Sequence, residues 1–466
     1  MTAKREKQEE DVSSHRRSQH TLFDDRFSQM LPGDIWAHLA AQQIDPVLWA
    51  TGGEFGYEDG FELFEDVGHL YELQLARLEF ATIGDDKELF RRRAAYFKRV
   101  AGKLTDHVAF SSVKGKGQIG HSNQYLTHWF YPYKGKFHGQ MVRALINFAG
   151  AREGDIVLDP FGGSGTTAVE SALAGCDSVL VDINPALCTI AYIKHKCIFL
   201  PIDEVEQCVK LAYAPKYFQE FTSILGRKTK RFKIEGEHTS EQILSDFWEE
   251  FPSGIVKAMP YEVRNFLLLV FLHALSDKTY LCQTKKDKPL FEFFVQNLKD
   301  YIATIRGTNE VVRRCGIRRR KADVLCCSAL NLPLEDGTVS CIVTSPPYSI
   351  AIDYVRNDLH MLEYLGVDAS LLREHMVGLR GGGRKLVMYE DDMHRSLQEM
   401  ARVVRDGGWV FIVLGDVVVN GKRTNFAQKI LQWAPSVGFK EGFLIKRPIL
   451  GGYARLRYEQ IIFLRR

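Results

Sequence analysis

The sequence predicts an α/β protein: a doubly wound, mostly parallel sheet with an antiparallel edge strand, a helical N-terminal region and a long insertion. Three observations carry this. The apolar run Ile156-Val157-Leu158 leads into a glycine-rich turn and then a helical stretch to Leu173, the strand–turn–helix order of a parallel sheet. A second β-rich run, Ser178 to Asn184, follows directly. After a long gap two more appear, Ala322 to Cys327 and Ser340 to Ser345.

The turn is Asp159-Pro-Phe161-Gly162-Gly163-Ser164-Gly165-Thr166-Thr167. Its glycines allow a bend tight enough for a ligand to lie against bare backbone, with the next helix's N–H groups facing the crevice. Asp182, followed by Ile183, ends the second run about twenty residues past the turn, where a carboxylate would meet the hydroxyls of a ribose. A surface acid at a strand end is the plain alternative. No Gly-Lys-Ser/Thr follows the turn, which argues against a phosphate-binding loop.

Composition bounds the class. A chain of 466 residues, 45% apolar and 26% charged, has room for two domains or one domain with a large insertion, and reads as globular. Net charge of +3 is too small to establish a polyanion partner, so the distribution of charge must decide. Nine cysteines without a Cys-x-x-Cys pair or zinc-type spacing suggest reduced, mostly buried thiols and no metal. No apolar run is long enough to span a bilayer, and the polar N-terminus lacks the apolar core of a signal peptide. A cytoplasmic protein with no membrane partner is expected.

Along the chain, residues 1–20 read as a disordered polar tail and 21–120 as a helical N-terminal region. Within it Phe64, Val67, Tyr71, Leu75 and Leu78 form one apolar stripe. Glu88 to Lys103 reads as a basic helix, either a solvated face or a phosphate-contacting flank. Residues 121–200 form the first part of the core. They begin with the aromatic-rich segment Gln124 to His138, which could pack on the sheet or wall the ligand crevice.

Residues 201–321 interrupt the alternating pattern. Basic clusters (Arg227 to Lys233, Arg313 to Arg320) flank a long apolar helix from Tyr261 to Ala274 and the run Phe291-Glu-Phe-Phe294. This reads as an inserted domain with its own small core and basic edges, suited either to nucleic acid or simply to solvation. Residues 322–466 complete the core: a helix from Asp353 to Gly366, another from Asp391 to Val404, a strand from Trp409 to Val413 and a helix from Asn425 to Trp433. The closing run Tyr458 to Arg465 is expected as an edge strand in an antiparallel pair.

A second motif, Ser345-Pro346-Pro347-Tyr348, ends the strand begun at Ser340. Two prolines fix the backbone, so a proline carbonyl and the serine hydroxyl can face one point as acceptors for an exocyclic amine. Tyr348 offers a flat face for a base turned out of its stack. A rigid turn closing a strand is the plain reading of this motif alone.

Together the two motifs resemble those of the S-adenosylmethionine-dependent DNA amino-methyltransferases, which modify cytosine N4 or adenine N6. The resemblance covers Gln124 to Asn184 and Ala322 to Arg466, and implies a Rossmann-like methyltransferase fold. It implies S-adenosylmethionine held by Asp159, Phe161, Gly162, Gly163, Ser164, Gly165, Thr166, Thr167, Asp182 and Ile183. The catalytic residues it implies are Ser345, Pro346, Pro347 and Tyr348. Serine before Pro-Pro-Tyr is more typical of the cytosine-N4 branch. The order of motifs resembles the class whose target-recognition region lies between them, here 201–321. Two departures stand out: the stretch Cys326-Cys-Ser-Ala329 where an acid is frequent, and Gly139 after His138 where proline is common.

The activity expected from the resemblance is site-specific methylation of cytosine N4 in double-stranded DNA, in a restriction-modification setting with a possible cognate restriction or defence protein. The alternatives, in order, are an adenine-N6 enzyme, an RNA amino-methyltransferase and a catalytically inactive DNA-binding regulator. Cytosine-C5 chemistry is disfavoured, because the chain has no Pro-Cys pair.

Overall fold

The computed structural model describes residues 60–115, 124–133, 135–136, 138–212, 223, 237–251, 254–280, 288–348, 353–380, 384–415, 417–419, 422–448 and 458–466. The polar tail, the Arg227 to Lys233 cluster and the glycines of the loop after Arg380 lie outside these residues.

Eight strands form the central sheet: β1 (Ile156–Asp159), β2 (Asp177–Asp182), β3 (His238–Thr239), β4 (Ala322–Cys326), β5 (Val339–Thr344), β6 (Val404–Gly415), β7 (Glu441–Pro448) and β8 (Tyr458–Arg465). Their order is β7-β8-β6-β5-β1-β2-β4-β3. The five strands from β6 to β4 run parallel, while β8 pairs antiparallel with both β6 and β7, and β3 antiparallel with β4. The chain leaves β1 for β2 on one side and later enters β5 on the other. That reversal opens a crevice beyond the C-terminal ends of β1 and β5. This is a doubly wound, Rossmann-like architecture.

The main helices are α1 (Leu70–Ile83), α2 (Gly139–Phe148), α3 (Thr166–Leu173), α4 (Pro185–Cys197), α5 (Ser240–Glu249), α6 (Tyr261–Tyr280), α7 (Leu290–Arg314), α8 (Leu359–Tyr364), α9 (Lys385–Val403) and α10 (Phe426–Trp433). Alternation along the strands assigns the two faces. Val157, Val343, Phe411 and Phe463 pack with α1 and α2, whereas Leu158, Ile342, Val410, Ile412 and Ile462 pack with α9 and α10. Among the described residues no helix is long and apolar enough to cross a membrane.

Several expectations are corrected. The closing strand β8 is interior; β7 forms that edge, because residues 441–448 supply one more antiparallel partner. The basic helix expected to reach Lys103 stops at Arg93, and Phe97–Val100 is a strand. Folding back brings the Phe90 and Phe97 rings to 4.9 Å, whereas a continuous helix would separate them by about 10 Å along its axis. Its arginines are partly used internally: Arg93 donates to the Ala151 carbonyl and Arg91 pairs with Glu88 and Asp106. The helix expected from Asp353 breaks at Asp358, a buried residue whose carboxylate accepts from Tyr131 Oη at 3.0 Å.

Among its described residues the insertion packs into a core shared with the sheet, not into one of its own. Phe247, Trp248, Phe266, Leu269 and Tyr301 share one buried cluster with Trp129, Phe130 and Tyr131 ahead of the glycine turn and with Met361 and Leu362 of α8. Tyr301 stacks on Phe130 at 3.9 Å and its hydroxyl accepts from Tyr131 N. The expected aromatic segment is therefore a seam joining insertion and sheet.

Candidate active site

The glycine turn follows β1, and the Ser345 loop follows the adjacent β5. Asp159 ties them together. Thr344 Oγ1 donates to its Oδ1 at 2.7 Å, Thr167 Oγ1 to its Oδ2 at 2.7 Å, and Phe161 N to Oδ1 at 3.1 Å. Burial raises the Asp159 carboxyl to about 6, against the pull of these donors. Asp159 and Thr167, both expected as cofactor contacts, are wholly buried and bonded to each other. They position the turn from within.

Gly163 and Gly165 take left-handed backbone, φ +49° and +83°. A Cβ on Gly165 would sit 2.8 Å from Ala191 of α4, and one on Gly162 3.0 Å from Leu180, so these glycines allow close packing of helix on strand. A Cβ on Gly163 would instead point at the Tyr133 ring, 3.3 Å away. Ser164 and Thr166 are buried beside them, while Phe161 and Ile183 are half-buried.

Asp182 receives Gly163 N at 2.9 Å and Asn184 N at 2.8 Å. Burial raises its carboxyl to about 6. It remains half-buried, with acceptor capacity beyond the two amides. Bare backbone at Gly163, a helix N-terminus at Gly165, a carboxylate at the neighbouring strand end and an aromatic wall at Tyr133 fit S-adenosylmethionine: backbone for the close approach, Asp182 for ribose hydroxyls.

Behind the turn lies a buried charged group. Glu170 of α3 accepts from Arg143 Nε at 2.7 Å and Tyr125 Oη at 2.5 Å, with His128 Nε2 at 2.6 Å. Burial alone would raise its carboxyl, but Arg143, His128 and Tyr125 hold it well below the carboxylate range. A Cβ on Gly139 would meet Glu170 Oε1 at 2.6 Å and His128 Nε2 at 3.0 Å. The departure from proline at this position follows from that crowding.

In the second motif Ser345 Oγ donates to the Val413 carbonyl at 3.2 Å, which leaves its lone pairs to accept. The Pro347 carbonyl is taken by Tyr389 Oη at 3.0 Å. Pro346 is buried; Tyr348 is half-buried and donates to Glu459 Oε1 at 2.9 Å. Cys326, where an acid was noted as frequent, sets its thiol toward the Ile183 carbonyl at 3.7 Å. All eight described cysteines are free. Sequence reasoning found both loops but missed Tyr389 and Glu459, which lie far from them in the chain, and the Glu170 group, whose partners Tyr125, His128 and Arg143 precede the turn.

Fold and site define a doubly wound, Rossmann-like α/β protein with a Ser-Pro-Pro-Tyr loop beside its glycine turn. Residues 4–193 match the N6/N4 DNA methylase family model. It is 26% identical over 288 residues to Type II methyltransferase M.BsoBI of Geobacillus stearothermophilus, covering 54% of this chain and 55% of that protein. It is 26% identical over 186 residues to Type II methyltransferase M.MjaII of Methanocaldococcus jannaschii, covering 35% and 34%. A 60-residue stretch is 40% identical to a tRNA (guanine(10)-N2)-dimethyltransferase of M. jannaschii, covering 13% and 16%. The matches thus span about half or less of these curated relatives.

Proposed function

We propose that this protein transfers a methyl group from S-adenosylmethionine to the exocyclic N4 of a cytosine turned out of double-stranded DNA. When bound, the cofactor supplies a sulfonium-activated methyl group. The observation that carries the reading is the Asp159 tie: it fixes the turn that would hold the cofactor and the strand end that presents Ser345 at one sheet edge. Direct transfer to an amine depends on such alignment more than on a strong base.

In this reading Ser345 Oγ accepts one amine hydrogen, the Pro346 carbonyl accepts the other, and Pro347 keeps the loop rigid. Holding both N–H bonds draws the nitrogen lone pair out of conjugation with the ring. Tyr348 stacks on the base. Glycines 162, 163 and 165 admit the cofactor, and Asp182 accepts its ribose hydroxyls. Serine at 345 favours cytosine N4; adenine N6 is the alternative. Residues 201–321 are assigned to target recognition. Exposed Arg313, Arg314 and Arg318 suit contact with DNA phosphates. A cognate restriction or defence protein in the cytoplasm is the corresponding partner.

Nucleoside mass spectrometry of DNA treated with enzyme and labelled cofactor tests the reading, with tRNA as a parallel substrate. N4-methylcytosine is expected. N6-methyladenine alone would move the protein to the other branch, and label in tRNA but not in DNA would overturn the substrate. Ser345→Ala should lower turnover about a hundredfold with cofactor affinity near normal; full activity in that variant would remove Ser345 from the mechanism.

A further inference from the structure

Tyr348 is anchored at its far end. Its hydroxyl donates to Glu459 Oε1 at 2.9 Å, and Ser345 Oγ lies 3.4 Å from Tyr348 Oη. Glu459 stands on β8, directly opposite Arg447 of β7. Its second oxygen, Oε2, pairs with Arg447 Nη1. Arg447 is itself buried, and its guanidinium stands 5.4 Å from the centre of the Tyr71 ring on α1. A brace thus runs from the N-terminal region through the antiparallel edge of the sheet to the Ser-Pro-Pro-Tyr loop.

We propose that Glu459 and Arg447 are positioning residues for methyl transfer: Glu459 clamps the Tyr348 hydroxyl, so the ring stands ready as a stacking face before DNA arrives. The inference rests on the proposed role of Tyr348 and extends it to residues that no motif contains. A tyrosine held only through its Cβ turns about two side-chain bonds, and ordering it would then oppose base binding. Clamping the hydroxyl fixes the ring in advance. Burial and the Glu459 charge push the Tyr348 phenol well above its ordinary value, so it stays protonated as the donor. Arg447 explains why the acceptor is an acid: a buried guanidinium needs a charged partner, and Tyr71 covers its remaining face.

The test uses the full chain and DNA carrying 2-aminopurine at the target position of the methylated sequence. Tyr348→Phe keeps the ring and removes the clamp. Glu459→Ala removes the clamp from the other side. Each should lower kcat roughly tenfold, a fold-change appropriate to one hydrogen bond to a charged group. Each should also raise the fluorescence of the extruded 2-aminopurine, with the affinity for S-adenosylhomocysteine unchanged. The double variant should lose no more than either single one.

Glu459→Gln, which keeps an acceptor, should recover most of the rate. If Glu459→Ala does not fold, the paired replacement Glu459→Leu with Arg447→Met removes both buried charges and should reproduce the Tyr348→Phe phenotype. Multiplicative losses, or a wild-type rate and fluorescence in a folded variant lacking Glu459, would overturn the clamp while leaving the proposed function intact. A wild-type protein that methylates no DNA would overturn both.

Discussion

Replacing Asp159 with asparagine separates its charge from its hydrogen bonds. Asparagine keeps an oxygen for Thr344 and Phe161 N but turns an amide toward Thr167. Thr167 can adapt, because its Oγ1 also lies 3.4 Å from the Val343 carbonyl and can redirect its proton there. The charge is what disappears. Asp159 is raised to about 6 in the folded chain against about 3.9 unfolded, a shift of about two units, or roughly 3 kcal/mol. The sign follows from the direction: a raised carboxyl contributes stability fully present below about pH 4 and lost as pH climbs through about 6.

Urea unfolding of wild type and Asp159→Asn across pH 4 to 8 measures this directly. The stability difference should move by about 3 kcal/mol in favour of the variant as pH rises, with most of the change complete near pH 7. A buried acid away from the two loops, such as Glu79, titrates alike in both proteins and cancels. Asp159→Ala loses the same titration and should follow the same pH slope, but it orphans the Thr344 hydroxyl and the Phe161 amide and so should lie about 2–6 kcal/mol below Asp159→Asn across the range. Parallel pH profiles for wild type and Asp159→Asn would refute the claim that this buried carboxylate ties the two loops at an electrostatic cost.

Arg143→Met leaves Glu170 buried beside only a histidine and a tyrosine, and should cost about 3–5 kcal/mol by denaturant unfolding. Gly165→Ala combines a left-handed backbone with a Cβ 2.8 Å from Ala191, so α3 must move; calorimetric titration should show at least a tenfold loss of S-adenosylhomocysteine affinity. Tyr389→Phe releases the Pro347 carbonyl; stability should fall by about 1 kcal/mol, and kcat should drop more than cofactor affinity.

What could be read from the chain is what it holds contiguously. The glycine turn, Asp182 and Ser-Pro-Pro-Tyr are each local strings whose conformation follows from glycine and proline chemistry. Parallel pairing then brings the two loops together. Glu459, Arg447 and Tyr71 carry no such signal. Each occupies an unremarkable place on a strand or helix, and acquires a role only through the antiparallel register of β7 with β8 and the packing of α1. The misread basic helix has a similar cause: its charge pattern is helical, and only the contact of Phe90 with Phe97 reverses the chain. Asp358 broke an expected helix because its partner, Tyr131, lies 227 residues away.

The seam of Trp129, Phe130, Tyr131 and Tyr301 bears on any exchange of residues 201–321. Grafting residues 201–321 wholesale from a relative would bring helices whose undersides were shaped for another host, and excising them would leave bare aromatic surface prone to clumping. If residues 201–321 read the target as proposed, a changed preference is better sought by exchanging outward-facing side chains and leaving the mortar between the two halves untouched.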